Sequence, residues 1–228
     1  MQTYNEDKMF TYLRGFLNGA RMRQSMAALG FAREKHAGYT RKGNGQPYII
    51  HPLWMACYAV AIGIRDDSII AAILLHDVPE DTGTPLSSLP VSDEAREIVD
   101  CMTIKSYVGE SKWQCKERYY NGLLRNPGAV LCKGLDRFHN LSTMEGEMPI
   151  ESIEKNIVET NVLLLPVMKV AKEKWPDWSD PLFILRLNVR SICDTLDAIH
   201  HASEHQDEII AKLKNTPVEP TKTDRLPQ

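Results

Sequence analysis

The sequence predicts an all-α protein. Apolar residues recur at spacings of three and four along most of the 228 residues, which is the period of an amphipathic helix. Residues that favour helix N-caps precede several of these apolar runs. No segment shows the alternation of apolar and polar residues that is typical of a half-buried strand.

The first part of the chain predicts two helices followed by a loop. Apolar residues recur at helical spacing over 7–17 and again over 21–36. Residues 38–47 are rich in glycine and other turn formers, so we expect an exposed loop there. That loop carries two adjacent cations, Arg41 and Lys42.

The next part predicts a helical hairpin with a histidine at each of two helix ends. A helix over 53–62 follows directly after His51, and Asp66 or Asp67 caps a second helix that ends at His76. The second helix contains an uninterrupted run of isoleucine, leucine and alanine, which predicts that it is buried. The hairpin brings His51 and His76 close together.

Two more helices are predicted before a second acid. Ser92 caps a helix that continues to residue 102, and another helix covers 111–124. A short apolar run at 129–132 then ends just before Asp136, which we therefore expect at a helix end that faces the core.

The remaining chain predicts two long helices and a tail. The first covers 149–174 and is kinked by Pro166, because proline removes a backbone donor. The second begins at Ser179 or Asp180 and ends within 209–213. The proline-containing tail, residues 215–228, is predicted to be disordered.

Composition predicts one domain over residues 1–214 in a reducing compartment. No composition shift or glycine-serine linker divides the chain, and a net charge of -3 argues against a broadly basic nucleic-acid binder. The five cysteines form no CxxC pair, and neither a signal peptide nor a membrane-spanning run is present. We expect a cytoplasmic protein with no membrane partner, and the sequence leaves the number of subunits open.

Four side chains stand out as candidate metal ligands. His51, His76, Asp77 and Asp136 supply two imidazoles and two carboxylates, a mixed nitrogen and oxygen set that suits Mn²⁺, Fe²⁺ or Zn²⁺. Each of them alone is more often a packing or capping residue. Their occurrence together favours a metal centre, where a bound ion can polarise a phosphoryl oxygen and activate water.

A second acidic pair follows the candidate ligands. Glu80 and Asp81 lie four residues after His76 and Asp77, one helical turn further along the chain. Carboxylates in that position can orient or deprotonate an attacking water.

Three motifs resemble those of a known family. They are Thr-Arg-Lys-Gly-Asn-Gly-Gln-Pro-Tyr-Ile-Ile-His-Pro at 40–52, Leu-His-Asp-Val-Pro-Glu-Asp-Thr at 75–82 and Asp-Arg-Phe-His-Asn-Leu-Ser-Thr at 136–143. With them the chain resembles the HD-domain metal phosphohydrolases, and within these the hydrolase domain of the RelA/SpoT alarmone enzymes. The resemblance covers about residues 27–166 and is nearest to the stand-alone small alarmone hydrolases of the animal Mesh1 type.

The resemblance implies an HD-domain helical bundle and an activity. That activity is a Mn²⁺-dependent (p)ppGpp 3′-pyrophosphohydrolase of the stringent response, which releases pyrophosphate and GDP or GTP from a small nucleotide substrate. The roles it implies are metal ligation by His51, His76, Asp77 and Asp136, water activation by Glu80 and Asp81, guanine stacking by Arg41, phosphate contacts by Lys42 and Lys155, and a nucleotide pocket lined by Asn140 and Thr143.

Two other functions remain open at this point. One is an HD phosphohydrolase that acts on another nucleotide, such as NADPH, a deoxynucleotide or a signalling dinucleotide. The other is a catalytically silent protein that binds alarmone, although the Glu80–Asp81 pair favours an enzyme because a pure binder needs no water-activating group. We expect no synthetase or regulatory domain after Pro166, because too few residues follow it.

Overall fold

The computed structural model describes residues 5–41 and 45–218, and the prediction of an all-α fold is confirmed. Within these ranges the β-type pairing is confined to two isolated bridges, and no strand forms. None of the described helices is long and apolar enough to cross a membrane. The helices are α1 Glu6–Gly19, α2 Arg23–Lys35, α3 Ile50–Ala61, α4 Asp67–Leu75, α5 Val78–Thr82, α6 Asp93–Met102, α7 Lys112–Gly122, α8 Pro127–Thr143, α9 Ile150–Glu159, α10 Leu165–Lys174, α11 Ser179–His200 and α12 Gln206–Lys214.

Helix α4 is the centre of the core. Residues 68–75 are all buried, and α2, α3, α6 and α8 pack around the helix. Asp66 caps it as predicted, accepting a hydrogen bond of 2.9 Å from the amide of Ile69. Each buried leucine or isoleucine contributes about 1.5–3 kcal/mol of apolar burial. The helix therefore has little freedom, and the two residues that follow it, His76 and Asp77, are held at a fixed place.

Helix α8 packs against different helices on its two sides, among them α11, α3 and α4. Gly134 faces α11, where an added Cβ would lie 2.7 Å from Cδ2 of Leu185, so the absence of a side chain allows the two helices to approach closely. Asp136, two positions further on, points to the opposite side of α8. Its predicted position at a helix end is wrong, because α8 begins at the Asn126 cap and continues to Thr143.

The long helix predicted over 149–174 is interrupted as expected. A π-helical turn, Thr160–Leu164, separates α9 from α10 just before Pro166. Proline has no N–H to donate to the carbonyl four residues earlier, so the regular ladder cannot continue through it. A wider turn at this point accommodates the missing bond.

The last predicted helix is two helices. Helix α11 ends at His200, His201 has a left-handed φ of 55°, and α12 follows a short turn in which Ala202 is buried. Residues 215–218, the start of the predicted tail, are paired with residues 110–112 at the start of α7, where the amide of Lys112 donates to the carbonyl of Thr216 at 2.8 Å. Residues 219–228 lie outside the described residues, and the single domain over 1–214 stays a prediction.

Candidate metal centre and active site

A folded-back loop and the start of α3 form one wall of the site. The two sides of the loop are joined by backbone hydrogen bonds, from Arg41 to Gln46 at 2.8 Å and from Tyr48 to Tyr39 at 2.9 Å. This pairing brings Arg41 and Tyr48 to a common cavity. Lys42, predicted to contact phosphate, lies outside the described residues.

The start of α3 and the end of α4 present the first candidate ligands. His51 is the second residue of α3 and is 1% exposed, and His76 follows the last residue of α4 and is 2% exposed. Asp77 is the N-cap of the short helix α5, whose second residue is Pro79. The hydroxyl of Tyr48 donates a hydrogen bond to Oδ2 of Asp77, which fixes that carboxylate.

His51, His76 and Asp77 form a compact group that can hold a metal ion. One ligand atom from each lies within 4.8 Å of the other two. Nε2 of His76 is 2.9 Å from Oδ2 of Asp77, and Nε2 of His51 is 3.7 Å from the same oxygen. An ion that binds nitrogen and oxygen at about 2.0–2.2 Å needs donor atoms at such separations.

The hydrogen bonds of His76 also fit a metal ligand. Its Nδ1 lies 2.8 Å from the carbonyl of Ile73, which can only accept, so the ring proton is on Nδ1. Its Nε2 is buried and makes no aligned hydrogen bond within the described residues, although Asp77 is close. A buried nitrogen that lies 2.9 Å from a carboxylate oxygen is well placed to bind a cation together with that carboxylate.

Asp136 adjoins this group from α8. Its Oδ1 is 3.3 Å from Nε2 of His51 and accepts a hydrogen bond of 2.6 Å from Nδ2 of Asn140. Its Oδ2 pairs at 2.7 Å with Nζ of Lys133, one turn earlier on the same helix. The structure thus brings all four predicted ligands together, with Asp136 beside the closest three.

The electrostatics of the group favour a bound cation. Burial opposes ionisation of both Asp77 and Asp136. The charges of His76 and His51 outweigh burial at Asp77 and lower its pKa. Lys133 and His51 do the same at Asp136 and lower its pKa. Burial opposes the charged form of His76, yet Asp77 raises the pKa of His76 to about 9. The anionic carboxylates of Asp77 and Asp136 therefore both lie within 4 Å of Nε2 of His51. A divalent ion bound between them can replace the proton of His76.

The candidate ligands open onto a cavity of about 590 Å³, a volume typical of small-molecule sites. Glu80 and Asp81, the two residues predicted to act on water, line this cavity from α5. Burial, and after it the charge of Asp77, raises the pKa of Glu80, which makes its carboxylate a better proton acceptor.

Arg41 reaches across the cavity to α8. Its guanidinium lies 3.2 Å from Oδ1 of Asn140, 3.3 Å from Oγ1 of Thr143 and 3.3 Å from Nδ1 of His139. Arg41, which was predicted to stack on guanine, therefore lies on the same side of the cavity as Asn140 and Thr143, which were predicted to line the nucleotide pocket.

Lys155 is not brought to the cavity. Its side chain is 39% exposed and its ammonium lies 3.7 Å from Glu151, one turn earlier on α9. The next residue, Asn156, lines the cavity instead. Successive side chains of a helix point in directions about 100° apart, so Lys155 and Asn156 face different sides of α9.

Three residues at the site had no role in the sequence-based prediction. Tyr48 contacts Asp77, Lys133 pairs with Asp136, and His139 contacts His51 at 2.9 Å. The spacing from Asp136 could have indicated two of them, because Lys133 and His139 lie three residues before and after it on one face of α8. No local signal identifies Tyr48 as a partner of Asp77, which is 29 residues away.

A buried ion-pair network holds α8 in place behind the site. Nη2 of Arg137 lies 2.7 Å from Oε1 of Glu159 and 2.7 Å from the hydroxyl of Tyr120, and Lys116 also pairs with Glu159. These residues come from α7, α8 and the end of α9. Burial opposes ionisation of Glu159, but Arg137 and Lys116 outweigh it and lower the pKa of Glu159 to about 2.

We expect Glu159→Gln to destabilise the protein in a pH-dependent way. A carboxyl whose pKa falls from 4.5 to about 2 on folding contributes about 3 kcal/mol at neutral pH. This contribution is complete above pH 4.5 and is lost as the pH falls through about 2. Urea unfolding should therefore show a large gap between wild type and variant at pH 7 that narrows on acidification, whereas Glu151→Gln, on the exposed face of α9, changes little. A gap that is independent of pH would contradict this role.

Comparison with known proteins identifies the family. No family model matches the chain. The guanosine-3′,5′-bis(diphosphate) 3′-pyrophosphohydrolase MESH1 of Mus musculus is 32% identical over 149 residues, which cover 62% of this chain and 80% of the relative. A probable GTP pyrophosphokinase of Mycobacterium leprae is 31% identical over 156 residues, which cover 65% of this chain and 19% of that protein. One solved structure aligns with this chain with a TM-score of 0.48 and 21% identity, over 83% of this chain and 94% of that chain. It is described as a metazoan ortholog of SpoT that hydrolyzes ppGpp and plays a role in starvation responses.

The matches assign the chain to a protein family and to one branch of that family. The helices and the group formed by His51, His76 and Asp77 define an all-α domain with a candidate metal centre. The chain belongs to the RelA/SpoT family of guanosine-3′,5′-bis(diphosphate) 3′-pyrophosphohydrolases, in its MESH1-like branch. It spans less than a fifth of the length of the long bacterial relatives that it matches.

Proposed function

We propose that this protein is a metal-dependent (p)ppGpp 3′-pyrophosphohydrolase. The observation that carries the proposal is the convergence of His51, His76 and Asp77 at one end of a cavity that Glu80 and Arg41 also line. A metal group, a proton acceptor and a planar cation in one cavity are the parts that hydrolysis of a nucleotide diphosphate ester requires. The names of the relatives support the same substrate.

The ion that fits the site is Mn²⁺ or a similar divalent metal, held by His51, His76, Asp77 and Asp136. When bound, it supplies a Lewis acid that polarises a phosphoryl oxygen and lowers the pKa of water. One ligand atom each of His51, His76 and Asp77 lies within 4.8 Å of the other two, and the hydrogen bond from the Tyr48 hydroxyl orients the Asp77 carboxylate.

The remaining roles belong to side chains on the cavity wall. Glu80 accepts the proton of the attacking water at its carboxylate, and Asp81 on the same turn of α5 orients that water. Arg41 stacks on the guanine base, and Asn140 and Thr143 bind the nucleotide beside it. The water oxygen forms a bond to the phosphorus next to the 3′ oxygen, and the bond from that phosphorus to the 3′ oxygen breaks. The 3′ oxygen takes up a proton, so the products are pyrophosphate and a free 3′ hydroxyl.

The experiment that tests this function is an assay of pyrophosphate release from ppGpp with added Mn²⁺. We expect turnover that disappears with a chelator and returns with the metal. NADPH, deoxynucleoside triphosphates and a signalling dinucleotide are tested in parallel. Turnover of one of these without turnover of ppGpp would overturn the substrate, and ppGpp binding without any turnover would overturn the activity.

We expect Arg41→Ala to raise KM for ppGpp. Loss of a stacked guanidinium costs about 0.5–2 kcal/mol, which corresponds to a decrease in kcat/KM of about two- to thirtyfold. Arg41→Lys is the matched control, because it keeps the charge and removes the planar group. If the lysine variant has the wild-type KM, the guanidinium acts as a charge and does not stack on the base. An unchanged KM in the alanine variant would contradict any contact with the nucleotide.

We also propose a reducing compartment such as the cytoplasm. All five cysteines are free, and burial raises the pKa of the thiols of Cys57, Cys132 and Cys193, so they remain protonated and unreactive.

A further inference from the structure

A buried lysine lies on the cavity wall beside the candidate metal ligands. The ammonium of Lys133 is 2.7 Å from Oδ2 of Asp136, and Oδ1 of the same carboxylate is 3.3 Å from Nε2 of His51. The Lys133 side chain is 14% exposed and lines the cavity. A single carboxylate therefore separates this cation from the first histidine of the metal group.

Tyr119 of α7 adjoins Lys133 on the same wall. It is 7% exposed and lines the cavity, and the ammonium of Lys133 lies 5.6 Å from the centroid of its ring, within the range of a cation–π contact. Asp136 uses one of the three N–H donors of the ammonium, and the hydroxyl of Tyr119 is hydrogen-bonded to none of the described residues. The two side chains can therefore offer several donors to an anionic ligand.

The charge of the cavity calls for a cation at this place. Carboxylates crowd the end that holds the metal group, where the cavity is lined by Asp77, Glu80, Asp81 and Asp136. A diphosphate brought among these groups is repelled unless positive charge offsets them. Among the described residues, the lysine and arginine side chains that line the cavity are Lys133 and Arg41.

These two cations lie on opposite sides of Asp136. Arg41 contacts Asn140, one turn after Asp136 on α8, whereas Lys133 lies one turn before it. The seven residues from Lys133 to Asn140 correspond to about 10 Å along the helix. A nucleotide whose base lies at Arg41 can therefore extend past Asp136 and the metal group to Lys133 with its phosphates.

We propose that Lys133 and the hydroxyl of Tyr119 bind the diphosphate group that leaves from the 3′ position. The ammonium donates charge-assisted hydrogen bonds to the phosphate oxygens, and Tyr119 adds a neutral donor beside it. Negative charge grows on the leaving pyrophosphate as the bond to the 3′ oxygen breaks, so a fixed cation there also stabilises the transition state. The inference rests on the proposed function for the substrate, but binding of a diphosphate can be measured without turnover.

The experiment compares pyrophosphate with GDP as ligands of the Mn²⁺-loaded protein. Pyrophosphate is the leaving group, whereas GDP lacks it and keeps the base, the ribose and the 5′ phosphates. Titration calorimetry measures both affinities in wild type, Lys133→Met and Tyr119→Phe. Methionine keeps an unbranched apolar stem beside Tyr119 without the ammonium, and phenylalanine removes only the hydroxyl. Lys169→Met, on the exposed surface of α10, is the matched control for the loss of one cation.

We expect Lys133→Met to bind pyrophosphate about 10–100-fold more weakly and to bind GDP as the wild type does, because only the contact with the leaving group is lost. Tyr119→Phe should weaken pyrophosphate binding by about two- to tenfold, again without an effect on GDP. Lys169→Met should change neither affinity. Unchanged pyrophosphate affinity in either cavity variant would overturn the proposal.

Metal content is measured on the same samples, because Lys133 also contacts Asp136. Equal losses of pyrophosphate and GDP binding in Lys133→Met, together with loss of Mn²⁺, would overturn the proposal and leave Lys133 as a partner of Asp136 alone. If Lys133→Met does not fold, Tyr119→Phe decides the question by the same comparison. If wild type binds pyrophosphate through these residues but does not hydrolyse ppGpp, the proposed function fails and the diphosphate site stands.

Discussion

Replacement of Asp77 by alanine is expected to abolish metal binding and activity together. Asp77 supplies the carboxylate of the closest three-residue group, 2.9 Å from His76 and 3.7 Å from His51. Loss of a group that only orients a ligand lowers metal affinity by about 10–100-fold, so loss of the ligand itself should exceed about 100-fold. Without the ion, we expect turnover of ppGpp to fall by at least about a thousandfold.

Tyr48→Phe is the matched control for this variant. It removes the hydroxyl that hydrogen-bonds to Asp77 and keeps the carboxylate and the ring that packs on His36. We expect it to weaken Mn²⁺ binding by at most about 100-fold and to remain active at saturating metal. Titration of metal-free protein with Mn²⁺ measures both variants. Wild-type affinity in Asp77→Ala would show that the metal binds elsewhere.

Replacement of Glu80 by glutamine is expected to leave the metal bound and remove turnover. Glu80 lines the cavity one helical turn from the metal group, and burial together with Asp77 raises the pKa of its carboxyl. Glutamine has the same shape and cannot accept a proton, so the loss in kcat should be about 10²–10⁴-fold. The affinity for Mn²⁺ should stay near that of the wild type.

The comparison of Glu80→Gln with Asp77→Ala separates proton transfer from metal binding. Glu147 also lines the cavity and has no assigned role, so Glu147→Gln shows how much any nearby carboxylate matters. Kinetics at saturating ppGpp and Mn²⁺, with metal content measured on the same samples, distinguish the cases. Equal loss of metal from Glu80→Gln and Asp77→Ala would refute the separate roles.

Much of the helical framework could be predicted because its signals are local. Asp66 and Ser92 cap α4 and α6 through hydrogen bonds to amides three residues away. The uniformly apolar run in α4 predicted its burial, because such a helix has no face to offer to water. The break at His201 was missed, because the apolar period continues across it. The left-handed φ of His201, 55°, and the short turn Ala202–His205 separate α11 from α12.

The candidate ligands and the acidic pair were recognisable from the motifs, but their partners were not. Arg41 and His139 are 98 residues apart, and His51 and His139 are 88 apart. Spacing within a helix indicates which side chains share a face, as it does for Lys133 and Asp136. It does not indicate which face of another helix they meet.

The sequence by itself determined the helical class, the main caps and the residue types of the metal group. These features depend on contacts within about one helical turn, and the backbone geometry over one turn is the same in every α-helix. Only the tertiary structure decided that Tyr48 fixes Asp77, that His139 meets His51, and that Asn156 and not Lys155 faces the cavity. Those outcomes depend on the packing of α3, α4, α8 and α9 against one another, and small rotations of a packed helix change which side chain reaches the site.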